Sequence, residues 1–127
     1  MKSLPSHDVE MSKAWNLEER LELTSGYLKA VSGKGNGIKK DMLSNDVVEI
    51  RYRQGGEHIK LSGRRETHDL KKLLQEHGMP PWMRDRIPLI YYENKLIAVA
   101  DLWLESKYAA SESEAAWQVN WEWIDEQ

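Results

Sequence analysis

Apolar and polar residues alternate over several short stretches of this chain, which is the pattern of half-buried β-strands. The alternation predicts strands over residues 15–17, 21–23, 27–31, 47–53, 58–61 and 117–123. Two continuous apolar runs, 87–92 and 96–100, predict a buried hairpin. Leu70, Leu73 and Leu74 recur instead at helical spacing. Together these patterns indicate an α+β fold with many short antiparallel strands and one well-marked helix.

The dipeptide Gly55-Gly56 separates two of the predicted strands and is typical of tight hairpin turns. In the hairpin that it predicts, Arg51 lies opposite Lys60, and Arg53 lies on the same basic face. Like charges that face each other across a sheet destabilise it by up to about 1 kcal/mol. Two interpretations of this face stay open: a solvated surface screened by nearby glutamates, or a surface that binds a polyanion.

The helix and a second helical turn have clear signals at their ends. Thr67 is a predicted N-cap, and Gly78 followed by two prolines ends the helix, which we expect over about 68–77. Pro81 is typical of a first helical position and predicts a short helical turn over about 81–86.

Charged residues surround both predicted helical segments. The sequence Gly63-Arg64-Arg65 lies directly before the main helix, so two guanidinium groups and free N–H groups at the helix N-terminus predict a phosphate site. Such a combination suits an anion that accepts several hydrogen bonds. Asp85 lies between two arginines, and we interpret it as the ion-pair partner of one of them rather than as a catalyst.

Basic residues concentrate in the middle of the chain, although the chain as a whole carries a net charge of −3. A net negative charge argues against a general nucleic-acid binder. Residues 29–86 hold 13 basic and 8 acidic side chains, whereas residues 101–127 hold 1 and 7. The middle segment is therefore the part suited to a phosphate backbone, and the acidic end must lie away from it or face another domain.

The sequence carries no complete motif for catalysis or metal binding. The chain has no Cys, and its four His residues lack the spacing of a zinc site. The glycine run at 33–37 matches no nucleotide-binding fingerprint and predicts a flexible loop. Residues 117–123 alternate between apolar and polar and predict a buried aromatic face, with nucleotide stacking as the alternative; the apolar positions are Trp117, Val119, Trp121 and Trp123.

We expect residues 1–14 to form a loose tail and residues 15–127 a single domain, because a chain of 127 residues suits one modest core. No segment approaches the roughly 20 apolar residues of a membrane helix, and residues 1–11 are too polar for a signal peptide. We therefore expect a cytoplasmic protein without a membrane partner.

Three strings follow one another through the middle of the chain: RQGGE at 53–57, LSGRRETHDLKKLLQEHGMPPWMRDRIPLIYY at 61–92, and LIAVADLWL at 96–104. Together they resemble the C-terminal domain of bacterial tRNA(Ile)-lysidine synthetase. The resemblance implies a small layered antiparallel β-sandwich built from hairpins, of a topology also found in a domain of phenylalanyl-tRNA synthetase.

The same resemblance implies a parent enzyme that uses ATP and magnesium to attach lysine to the wobble cytidine of tRNA(Ile). This chain lacks the family's catalytic SGGxDS loop. We therefore expect a non-catalytic module that holds no cofactor itself and acts beside the catalytic domain of the parent enzyme. The resemblance assigns such a module to binding tRNA near the acceptor stem.

The candidate RNA contacts are the basic residues that the predicted faces turn outward. They are Arg51, Arg53, Lys60, Arg64, Arg65, Lys71, Lys72, Arg84 and Arg86. The alternative is a module that docks onto protein or forms a homodimer through its acidic end and its tryptophans, with no RNA binding of its own.

Overall fold

Eleven strands, two short helices and one 3₁₀ turn make up residues 12–124, which are the residues that the structure, a computed structural model, describes. The strands are β1 (Lys13–Asn16), β2 (Leu21–Leu23), β3 (Gly26–Lys34), β4 (Ile38–Lys39), β5 (Val47–Arg51), β6 (His58–Lys60), β7 (Thr67–Asp69), β8 (Leu89–Tyr92), β9 (Lys95–Val99), β10 (Trp103–Leu104) and β11 (Ala115–Trp123). The helices are α1 (Leu70–Glu76) and α2 (Pro81–Arg84), and the 3₁₀ turn covers Lys40–Met42. The predicted tail over 1–14 lies mostly outside the described residues.

The strands form three sheets, and every pair of neighbouring strands is antiparallel. The first sheet has the order β1-β5-β8-β9-β10, the second β2-β3-β11-β4, and the third contains β6 and β7. The longest ladder joins β3 and β11 from Gly26–Trp123 to Lys34–Ala115. This arrangement confirms the expected α+β class, with antiparallel strands and one main helix.

The predicted hairpin between β5 and β6 is wrong. β5 pairs with β1 on one edge, where Val48 lies opposite Trp15, and with β8 on the other, where Ile50 lies opposite Ile90. A strand with two neighbours has no free edge, so β6 pairs with β7 instead. The alternation still assigns the faces correctly, since Ile50 and Ile59 are both buried.

The chain between β5 and β6 is a loop of its own, and Arg51 therefore does not lie opposite Lys60. Gly55 and Gly56 have positive φ angles of 110° and 83°, in the region that favours glycine. The Glu57 carboxylate accepts hydrogen bonds from two backbone N–H groups of this loop at 2.7 and 3.0 Å. The carboxylate stabilises the loop in place of the ladder bonds of a tight hairpin.

Helix α1 begins later than predicted because Asp69, and not Thr67, is its N-cap. Asp69 Oδ1 accepts a hydrogen bond from the backbone N–H of Lys71 at 2.8 Å. Thr67 lies in β7, opposite Lys60. At the other end, Gly78 has a φ angle of 86° and ends the helix as predicted. The three leucines of α1 are buried, which confirms its predicted apolar face.

Two further predicted elements are confirmed. α2 has Pro81 at its start and ends at Arg84, slightly earlier than expected. The apolar hairpin is formed by β8 and β9, and its turn residues Glu93 and Asn94 have positive φ angles of 50° and 68°. Two positive φ angles are what a type I′ turn requires, and such turns match the twist of paired strands.

Buried residues of both larger sheets and of α1 form one hydrophobic cluster, which includes Trp15, Leu28 and Leu74. Trp117 and Trp121 belong to the same cluster, so the predicted buried aromatic face is confirmed. Val119 and Trp123 are partly buried and pack against this cluster, which favours the core interpretation over nucleotide stacking.

The glycine run at 33–37 is a close-packed connection rather than an open loop. Gly35 and Gly37 are buried. A Cβ atom at Gly37 would lie 2.2 Å from the carbonyl oxygen of Trp117, which is closer than two such atoms can approach. The absence of a side chain therefore lets this segment pass beside β11.

We expect Asp69→Ala to lower the free energy of unfolding by about 1 kcal/mol, because the first turn of α1 loses its cap. Thr67→Ala is the matched control, since Thr67 is exposed and caps nothing in this structure. Urea denaturation of both variants checks the assignment. A larger loss for Thr67→Ala than for Asp69→Ala would contradict it.

Candidate nucleic-acid interface

Five exposed cations lie on the β6–β7 hairpin and the first turn of α1, and we call them the hairpin patch. They are Lys60, Arg64, Arg65, Lys71 and Lys72. None of these side chains has an ion-pair or hydrogen-bond partner within residues 12–124. Unpaired cations that are close along one hairpin and the following turn are well suited to a row of phosphates.

Two arginines of the hairpin patch lie in the turn of a hairpin whose other edge is bonded to the rest of the domain. Gly63 turns the chain with a φ angle of 82°, and Arg64 and Arg65 follow it directly. Below this turn, Leu61 forms an isolated antiparallel bridge with Glu105, and its side chain is buried. The hairpin is therefore attached to the body of the domain on the side away from β7.

At the N-terminus of α1, where we predicted free N–H groups for a phosphate, the first two N–H groups already have partners. The N–H of Leu70 donates to the carbonyl oxygen of Glu57 at 3.0 Å. The N–H of Lys71 donates to the Asp69 carboxylate. A carboxylate at this position repels a phosphate. The hairpin patch consequently depends on its side-chain cations and not on the helix N-terminus.

Arg51 lies away from the hairpin patch and is fully engaged within the first sheet. Its guanidinium group donates to Glu49 Oε1 and to Asn94 Oδ1, each at 2.7 Å. The guanidinium carbon also lies 4.3 Å from the ring centroid of Tyr91. Contact with a phosphate would have to compete with these three interactions.

Arg53, Arg84 and Arg86 are also engaged, and all three bonds involve α2 or its flanking residues. Arg53 Nη2 donates to Asp85 Oδ1 at 2.8 Å, so the partner of Asp85 is 32 residues away and not the neighbouring arginine that we predicted. Arg84 Nε donates to the carbonyl oxygen of Met79 at 2.8 Å. Arg86 Nη1 donates to a carbonyl oxygen of α2 at 3.3 Å. The nine candidate residues thus divide into five free cations and four arginines with partners.

One residue that sequence reasoning missed is Trp82, whose side chain is exposed on α2. Met79, Met83 and Ile87 recur at a spacing of four and pack against the core. Met79 and Ile87 lie outside α2, so no helical period links these positions, and the sequence carries no clear signal for the exposure of Trp82.

Other features of the described residues add no second site. An open groove of about 510 Å³ borders Arg64 between the hairpin and residues 100–104. Residues 12–124 include no group of three or more His, Cys, Asp or Glu side chains that could hold a metal ion. Neither helix in the described part has the length and apolar character needed to cross a membrane.

A family model described as the TilS substrate C-terminal domain matches residues 48–121, more than half of the chain. The chain belongs to this family. The match confirms the resemblance that the three sequence strings indicated. A crystal structure of a TilS C-terminal domain superposes with a TM-score of 0.69 at 18% identity, covering 91% of this chain and 100% of that one. At this identity the superposition shows that the two domains share a fold.

Curated relatives of this TilS C-terminal domain are named tRNA(Ile)-lysidine synthase. The relative from Coxiella burnetii is 42% identical over 119 residues, which is 92% of this chain and 26% of the relative. The relative from Serratia proteamaculans is 38% identical over 112 residues, 88% of this chain and 26% of the relative. The chain therefore spans about a quarter of the length of these relatives.

We expect Arg53→Gln to lower the free energy of unfolding by about 1–2 kcal/mol. The substitution removes the ion pair with Asp85, the residue that directly follows α2. The Arg53 side chain is only 17% exposed. Arg65→Gln is the control and should change stability by less than about 0.5 kcal/mol, since its side chain is exposed and unpaired. Urea denaturation compares the two, and equal losses would refute a structural role for Arg53.

A second prediction concerns acid stability. Hydrogen bonds from the side chains of Ser12 and Arg51 hold the pKa of Glu49 below its ordinary value. A lowered pKa in the folded state stabilises the protein above the pKa of the unfolded chain, and this contribution disappears as the pH falls through the lowered value. Glu49→Gln should therefore be less stable than the parent at neutral pH and approach it in acid. Denaturation at a series of pH values tests this, and a pH-independent difference would contradict it.

Proposed function

We propose that this domain binds tRNA(Ile) and that the hairpin patch supplies the main contacts. The observation that carries the proposal is that five exposed cations on one hairpin and the following turn have no partner within the described residues. Family membership supports tRNA as the ligand, because the relatives are named for it. We expect contacts mainly to phosphate and ribose near the acceptor stem, since proteins recognise A-form duplexes largely by shape.

We further propose that the domain acts within a longer protein, because it spans about a quarter of its relatives. In this proposal another domain carries out the ATP-dependent ligation of lysine in the cytoplasm, and ATP and magnesium bind there. The absence of an SGGxDS sequence from this chain supports that division. Tethering a weak tRNA site to a catalytic domain raises its effective concentration, so the two sites bind the same tRNA in concert.

The layered sandwich also remains a proposal. Its support is that residues of the two larger sheets, such as Leu28 and Ile90, belong to one buried cluster. Packing of two antiparallel sheets through such a cluster is the arrangement that a sandwich requires.

The alternative of a protein-docking module or homodimer has less support. It relied on the tryptophans of β11 and on the acidic end of the chain. Trp117 and Trp121 are buried, so they offer no surface to a partner. The acidic end still supports this alternative, and so does Trp123 of β11, which is partly exposed.

Binding of the chain to a tRNA(Ile) transcript over a salt series tests the proposal. The logarithm of the binding constant should fall with the logarithm of salt concentration, by a slope of roughly 0.7–0.9 per neutralised phosphate. The double variant Arg64→Ala/Arg65→Ala should bind more weakly, with a slope smaller by about 1.5. An unrelated tRNA measures how much of the binding is specific.

The control is Lys29→Ala/Lys107→Ala, which removes the same charge from exposed side chains outside the hairpin patch. If both double variants weaken binding equally, net charge and not the hairpin patch is responsible. If the unmodified chain binds no tRNA at low salt, this proposal is wrong for the isolated domain.

A further inference from the structure

Trp82 differs from the other tryptophans of the domain in its accessibility. Its side chain is 62% exposed, whereas Trp15, Trp117 and Trp121 are buried. The remaining two tryptophans are half-buried. Tryptophan combines a large apolar ring with a polar N–H group and is enriched at surfaces that contact another molecule.

The backbone that carries Trp82 is held rigidly from both sides. Pro81 occupies the start of α2, and the N–H groups of Met83 and Arg84 both donate to the carbonyl oxygen of Pro80, at 3.0 and 3.2 Å. The Met83 side chain packs against the core beneath the helix. The backbone that carries the exposed ring is therefore held before any ligand binds, which reduces the entropy that the backbone loses on binding.

Positive charge accompanies this ring. The guanidinium group of Arg86, in the turn that follows α2, donates to the main-chain carbonyl oxygen of Trp82 at 3.3 Å, which keeps a cation close to the residue that carries the ring. Asp85 is the acidic residue of this segment, and its carboxylate is paired with Arg53. The surroundings of the ring are therefore suited to a phosphate as well as to an aromatic partner.

We propose that Trp82 stacks on an unpaired nucleobase of the bound RNA while Arg86 contacts the phosphate beside it. This inference rests on the proposed function and adds a second type of contact to it. Base pairs inside a duplex cover each other's faces, so along the length of a duplex a tryptophan ring finds a free base face only where a nucleotide is unpaired. An aromatic ring beside a cation is the usual arrangement for single-stranded nucleic acid. The hairpin patch would contact the duplex, and Trp82 the unpaired nucleotide.

Three RNA probes of equal duplex length test this inference. One is a blunt duplex of about 12 base pairs, one carries a short single-stranded 3′ overhang, and one carries an internal unpaired bulge. We expect the overhang or the bulge to raise the affinity of the chain about 10-fold over the blunt duplex. The probe that gains affinity identifies the source of the unpaired nucleotide.

Trp82→Ala should abolish this gain without changing the affinity for the blunt duplex, and Trp82→Phe should keep most of it. Val31→Ala is the matched control, because Val31 is also exposed and apolar but lies on β3. Its gain should equal that of the unmodified chain. Quenching of tryptophan fluorescence by the unpaired probe should be smaller in Trp82→Phe, which a merely structural role of this residue would not produce.

Two results would overturn the inference while the proposed function survives. One is tight binding of the blunt duplex with no gain from unpaired nucleotides. The other is a gain that Trp82→Ala leaves intact. If no RNA probe binds, both proposals fail together. A change in sedimentation caused by Trp82→Ala, with unchanged RNA affinity, would assign the ring to a protein contact instead.

Discussion

The pairing of β5 on both of its edges is the constraint on which the rest of this structure depends. β1 and β8 occupy the two edges, so the segment that follows β5 cannot fold back onto it. The chain leaves the first sheet through the loop at Gly55 and Gly56 and forms a separate hairpin from β6 and β7. That separate hairpin carries Arg64 and Arg65 in its turn.

The engaged and the free cations have different energetic roles. Arg53 has a largely covered side chain, and a covered guanidinium group without a partner would cost several kcal/mol of desolvation, so the pair with Asp85 is needed for stability. An exposed arginine such as Arg65 keeps its water and has no such requirement. Free surface cations contribute little to folding, and their clustering is therefore better explained by a ligand than by stability.

The sequence predicts well which side-chain faces are buried, and it predicts poorly which strands pair and which distant residues form bonds. The alternation of Ile50 and Ile59 gave their faces correctly, because side-chain direction in a strand follows from local geometry. The partner of β5 could not be read in the same way, since pairing depends on segments that are distant in the chain. Asp69 and Thr67 are both suitable N-caps, and only the pairing of β7 with β6 decides between them. The bond from Arg53 to a residue 32 positions later has no local signal at all.

The fastening of the β6–β7 hairpin has a mechanical consequence. The N–H of Ser106 donates to the carbonyl oxygen of Lys60 at 2.8 Å, next to the bridge between Leu61 and Glu105. These bonds link the hairpin to the segment that follows β10, so a force applied at the arginines passes directly into the first sheet. A bound RNA that is pulled or rotated would therefore move the hairpin and the first sheet together, instead of bending a loose loop.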